Sequence, residues 1–92
     1  MSKTRTTVRI AGRNLNLVGD DSSEYMHELE KYINEQVRTI KRNYPSADST
    51  ACLVLATLNI TDELFKMREN YEQINTRLDK LRRMSKSDND KK

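Results

Sequence analysis

Between Ile60 and Leu81 the apolar residues Ile60, Leu64, Met67, Tyr71, Ile74, Leu78 and Leu81 follow at intervals of four, three, four, three, four and three. An α-helix turns once in about 3.6 residues, so this rhythm draws all of them onto one narrow stripe. Two helices bury such stripes against each other as a coiled coil. Placing Leu53, Ile60, Met67, Ile74 and Leu81 at position d puts Thr57, Leu64, Tyr71 and Leu78 at position a. No Gly or Pro interrupts the chain from Ala47 to Lys92. From Ser49 to Met84 such a helix runs about 50 Å at ~1.5 Å per residue. A chain of 92 residues holds too little else to cover that length, so the seam predicts pairing with a second chain.

The segments before the seam read as a small head. From Thr6 to Leu17 the pattern has period two: Thr6, Val8 and Ile10 share a face with Leu15 and Leu17, opposite Thr7, Arg9, Asn14 and Asn16. This predicts a β-hairpin over 5–18 with its turn at Ala11–Asn14. A lone two-stranded ribbon is marginal in water, so its apolar face must lie on something. Asp21, with Glu24 three residues on, predicts a capped helix over 22–44. Its stripe is Met26, Leu29, Ile33, Val37, Ile40 and Tyr44, widened by Tyr25 and Tyr32, and is expected to be core between hairpin and long helix. Glu28, Glu30, Lys31, Glu35, Arg38 and Lys41 take the remaining positions, and Pro45 ends the helix. Ser46, Asp48 or Ser49 can cap the long helix. The run Ala51–Ile60 is apolar nearly all round, as in a helix covered on more than one side.

The expected class is α+β: an N-terminal hairpin packed with a short helix, then a long helix forming an intermolecular coiled coil in an obligate dimer. The expected organisation is a head over 1–50, a dimerising helix over 51–84 and a disordered tail over 85–92, which is Ser, Asp, Asn and Lys only. The dimer seam takes Leu53, Ile60, Leu64, Met67, Tyr71, Ile74, Leu78 and Leu81.

Catalysis is poorly supplied. Gly12 and Gly19 are the only glycines, so no phosphate loop exists, and a single His27 and a single Cys52 leave no metal motif and no disulfide. Cys52 lies in the densest apolar run, where burial makes a thiol inert. Asp62 and Glu63 are adjacent and point about 100° apart on a helix, so they share no proton. No enzyme activity, metal or cofactor is expected. No apolar run approaches a membrane span, and Met1–Thr7 has no signal-peptide stretch, so a cytoplasmic location is expected.

Binding is better supplied. Lys3, Arg5, Arg9 and Arg13 all precede the first acid, Asp20, and the Gly12-Arg13-Asn14 turn places an arginine at an exposed tip. A basic end suits an acidic protein, an anionic surface or nucleic acid. A small basic coiled-coil dimer tracking phosphates is the alternative, but a net charge of +3 is weak for that task. Nor does any aromatic interleave the hairpin's basic residues to stack on bases.

Three segments in this order resemble the ZapA family of bacterial cell-division proteins: Val8–Gly19 with its two spaced glycines, Glu24–Val37, and Ala56–Leu64, together spanning about residues 6 to 81. The resemblance implies a dimer with hairpin-and-helix heads on a paired long helix. In some relatives dimers pair again as antiparallel tetramers. It also implies a partner, the polymerising GTPase FtsZ, whose filaments family members bundle to stabilise the ring at the division site. Binding is attributed to the charged heads, which points to Arg13 first, then Arg9, Arg5 and Asn14. Where some relatives carry an acid at the start of the long helix, this chain has Ser49, Thr50 and Ala51.

Overall fold

The structure, a computed structural model, describes residues 3–90, with the side chains of 86–90 excepted. Its elements are β1 (Thr4–Ile10), β2 (Arg13–Gly19), α1 (Ser23–Asn43) and α2 (Ser49–Asp90). This is the expected α+β arrangement of hairpin, helix and long helix. Two compact units divide the chain, one reaching Asn59 and one beginning at Ile60. The first unit extends past residue 50 because the opening turns of α2 supply its core.

β1 and β2 pair antiparallel from Thr4–Gly19 to Ile10–Arg13 with no bulge. The turn is tighter than the sequence pattern indicates. Only Ala11 and Gly12 lie in it, at φ 51° and 81°, the two positive values of a type I′ turn whose twist matches the strands it joins. Arg13 and Asn14, expected in the turn, therefore open β2.

Ser22, not Asp21, caps α1: its Oγ accepts the Tyr25 N–H at 3.1 Å. The two side chains are equivalent as caps, and the chain enters the helix one residue later. Asp48 caps α2 by accepting the Ala51 N–H at 2.8 Å. Between the helices, Lys41 Nζ donates to the Pro45 carbonyl at 2.8 Å and the Ala47 carbonyl at 2.6 Å. This lysine, in the last turn of α1, satisfies two carbonyls of the connection and fixes its path.

The core of the head is small. Ile40 from α1 meets Cys52 and Ala56 from α2, flanked by Val37, Ala47 and Leu55. Val8, 2% exposed, anchors the inner face of the hairpin, and Thr6 beside it is buried with its Oγ1 2.9 Å from Ser23 Oγ. The α1 stripe is only partly core: Tyr25, Leu29, Tyr32 and Tyr44 stay substantially exposed, as does Leu15 at 42%.

In the second unit the seam lies open. From Leu64 through Met67, Tyr71, Ile74 and Leu78 to Leu81, exposure ranges from 43% at Leu78 to 69% at Met67. Away from the seam, Asp62 pairs with Lys66 at 2.8 Å one turn on, which holds the Lys66 ammonium above its usual pKa. Arg68 stands 5.8 Å over the Phe65 ring. Helix α2 reaches Asp90, where a disordered tail is expected from Ser85; Lys91 and Lys92 lie outside the described residues. Polar residues without Gly or Pro do not by themselves stop a helix.

Candidate functional site

The hairpin register sorts the candidate binding residues. Arg5 faces Val18, Thr7 faces Asn16 and Arg9 faces Asn14 across the strands. Alternation puts these six side chains on one face, away from buried Thr6 and Val8. Thr7 Oγ1 donates to Asn16 Oδ1 at 2.8 Å, tying the face together at its middle. The structure thus brings Arg5, Arg9 and Asn14 onto a single exposed face, with Val18 as its apolar member.

Arg13 does not join them. It pairs with Ile10, so its Cβ lies on the opposite face of the ribbon. Exposed itself, it helps line a small hollow with Ala11, Ser49, Thr50 and Leu53. The hairpin end and the first turn of α2, distant in sequence, meet there. Leu53, expected at the dimer seam, is half-buried at this hollow within the first unit, and Ile60 is half-buried at the start of the second.

Two residues of α1 hold the ribbon. Glu30 Oε2 accepts the Arg9 N–H at 2.6 Å, while Asn34 donates from Nδ2 to the Arg9 carbonyl at 2.7 Å and accepts the Ala11 N–H at Oδ1 at 3.2 Å. Residues four apart share a helix face, so Glu30 and Asn34 grip consecutive stretches of one strand edge. His27 Nδ1 lies 2.9 Å from the other Glu30 oxygen. The Arg9 N–H first, and then His27, hold the Glu30 carboxyl below the usual glutamate range. In the sequence Glu30 reads as a solvated position and nothing marks Asn34. The signal lay in spacing, since Met26, Glu30, Ile33 and Val37 step by four, three and four along the hairpin side of α1.

No group of three His, Cys, Asp or Glu among the described residues is placed to hold a metal ion, and none of the helices described is long and apolar enough to cross a membrane.

A hairpin-and-helix head with a basic ribbon, followed by a helix that carries an open heptad seam, defines a small α+β protein built for association. The description "Cell division protein ZapA" fits residues 6–89 of this chain. A Cell division protein ZapA of Shouchella clausii is 37% identical over 71 residues, covering 77% of this chain and 91% of the relative. Another, of Halalkalibacterium halodurans, is 39% identical over 67 residues, covering 73% and 74%. In three dimensions the chain is similar to a ZapA mutant dimer from Geobacillus stearothermophilus, with a TM-score of 0.67 and 26% identity over 85% of this chain and 91% of that one. The chain belongs to the ZapA family of cell division proteins.

Proposed function

We propose that this chain is a non-enzymatic cell-division protein that binds FtsZ filaments through its head and bundles them as a dimer, in the cytoplasm at the division site. The observation that carries the reading is family membership across residues 6–89. The open seam supports it physically. Apolar burial contributes roughly 25 cal/mol per Å², and the side chains from Leu64 to Leu81 forgo most of that in a single chain. The similar structure from Geobacillus stearothermophilus is a mutant dimer, which supports pairing of two chains here.

Chemistry favours the head as the binding element. Residues 3–19 carry Lys3, Arg5, Arg9 and Arg13 and no acid, and an acidic filament is attracted to such a surface by steering and by charge-assisted hydrogen bonds. One head holds one filament weakly. A dimer carries two heads and a tetramer four, so a second filament is engaged at high effective concentration.

The test is pelleting of GTP-assembled FtsZ with the unmodified protein, Arg9→Ala and Arg13→Ala. Co-pelleting that weakens in either variant supports the reading and assigns the face. Absence of co-pelleting by a folded dimer refutes it.

A further inference from the structure

A two-stranded ribbon has two outer edges, and among the described residues only the turn end of one of them, that of β1, is bonded. Glu30 and Asn34 take the N–H and carbonyl of Arg9 and the N–H of Ala11, which covers the turn end of the β1 edge. The same bonds fix the phase of the ladder. Because the Arg9 backbone points outward, the Arg9–Asn14 pair is a non-hydrogen-bonded one, and alternation makes Thr7–Asn16 and Arg5–Val18 non-hydrogen-bonded too. The N–H and carbonyl groups of Asn14, Asn16 and Val18 therefore point away from β1, along the free edge of β2. Among the described residues no backbone or side-chain group bonds them.

This edge lacks most of the devices that keep strand edges from pairing. β2 reads Arg-Asn-Leu-Asn-Leu-Val-Gly, with no Pro, no Lys and no bulge over the paired residues. Its one charge is Arg13, and the strand behind it adds Arg5 and Arg9 with no acid anywhere in residues 3–19. Adjacent strands lie about 4.8 Å apart, so an incoming strand meets Arg13's own strand directly and feels Arg5 and Arg9 within roughly one Debye length. A second copy of β2 would bring an equally basic, acid-free ribbon against this one and be repelled. An acidic strand would be drawn in.

We propose that the outer edge of β2 is a strand-addition site for an extended acidic segment of FtsZ. The segment's backbone pairs with Asn14, Asn16 and Val18, and its carboxylates face the arginines of the ribbon. The inference rests on the reading that the head binds FtsZ, and it adds the mode of contact. Main-chain pairing supplies affinity and the ribbon charge supplies selectivity.

Proline at position 16 tests the edge without touching the ladder, because the Asn16 N–H points away from β1. Asn16→Ala is the control, since both variants lose the bond to Thr7. The expected result in FtsZ co-pelleting is a loss of about tenfold or more for Asn16→Pro and of less than about threefold for Asn16→Ala. Equal binding by the two folded variants overturns the proposal. Should Asn16→Pro fail to fold, amide hydrogen exchange of the unmodified protein gives the answer: the Asn14, Asn16 and Val18 amides slow when FtsZ polymer is added. Binding that leaves those amides at their free rates overturns the strand-addition site while the function stands. Protection already present before FtsZ is added shows that a second copy holds the edge and also overturns it. Failure of the unmodified protein to bind FtsZ overturns the underlying reading and this inference together.

Discussion

Arg9 and Arg13 stand on opposite faces of the same ribbon. Arg9 pairs with Asn14 on the outward face, whereas Arg13 pairs with Ile10 and lies beside Ser49 and Thr50. Four residues apart in a hairpin with a two-residue turn, they belong to different surfaces. A partner that grips one flat face of the head meets one of them and not the other.

Alanine at the two positions is therefore expected to act unequally on FtsZ binding. The variant on the contacted face should weaken binding about tenfold, or about 1.4 kcal/mol, and the other by less than about threefold. Co-sedimentation at two salt concentrations checks this, because a lost charge contact also flattens the salt dependence. Equal losses would mean that the partner wraps the hairpin end.

Asn34 is expected to matter to stability out of proportion to its place on an exposed helix. Asn34→Ala removes the donor to the Arg9 carbonyl and the acceptor for the Ala11 N–H, at a cost of roughly 1–3 kcal/mol. Asn34→Asp keeps the acceptor and should fall between. Thermal unfolding followed by circular dichroism measures both.

The turn should respond in opposite directions at its two positions. Ala11 holds φ 51°, a conformation that penalises an L side chain, so Ala11→Asn is expected to stabilise by about 0.5–1 kcal/mol. At Gly12, φ is 81° and an added Cβ meets nothing within 4 Å, so Gly12→Ala suffers only the backbone penalty, about 1 kcal/mol of destabilisation. Chemical denaturation of the two variants gives the sign of each effect.

Acid should loosen the ribbon through Glu30. Its carboxyl is held below the usual glutamate range by the Arg9 N–H and His27, so the folded state favours the ionised form. A depressed folded-state pKa contributes stability above the unfolded value, and that stability is lost as pH falls through the folded value. Glu30→Gln keeps an oxygen for the Arg9 N–H and removes the titration. Its melting temperature is expected to fall less steeply than the parent's as pH is lowered from about 5 to 3. Parallel curves would remove Glu30 from the acid response.

Much of this architecture is legible in the sequence because it is written in apolar spacing. The alternation of Val8, Ile10, Leu15 and Leu17 gives the strands and their inner face, and the four-three rhythm from Ile60 to Leu81 gives a helix with a seam. The turn is harder to place because Ala11, unlike Asn or Gly, carries no mark of a left-handed conformation. The latch on β1 is hidden for another reason. Glu30 and Asn34 are polar and read as solvent-facing, and only the third dimension shows that an unpaired strand edge lies beside them. Arg13 reads as exposed in the sequence, but its face does not, since a turn shorter by two residues changes which strand partners it meets. The limits of the head are blurred because the apolar run from Ala51 serves the head core at Cys52 and Ala56 before the seam begins.

In the function proposed above, the heads bind and the paired helix makes binding into cross-linking. Leu64→Lys with Ile74→Lys places charges on the seam, where each lost burial is worth about 2–3 kcal/mol. Light scattering and electron microscopy of GTP-assembled FtsZ with the parent and with this double variant, beside the variant's sedimentation coefficient, separate the two roles. The expected result is a monomer with an intact head that leaves filaments single while the parent bundles them. A monomeric variant that bundles filaments as well as the parent would overturn the cross-linking role of the paired helix.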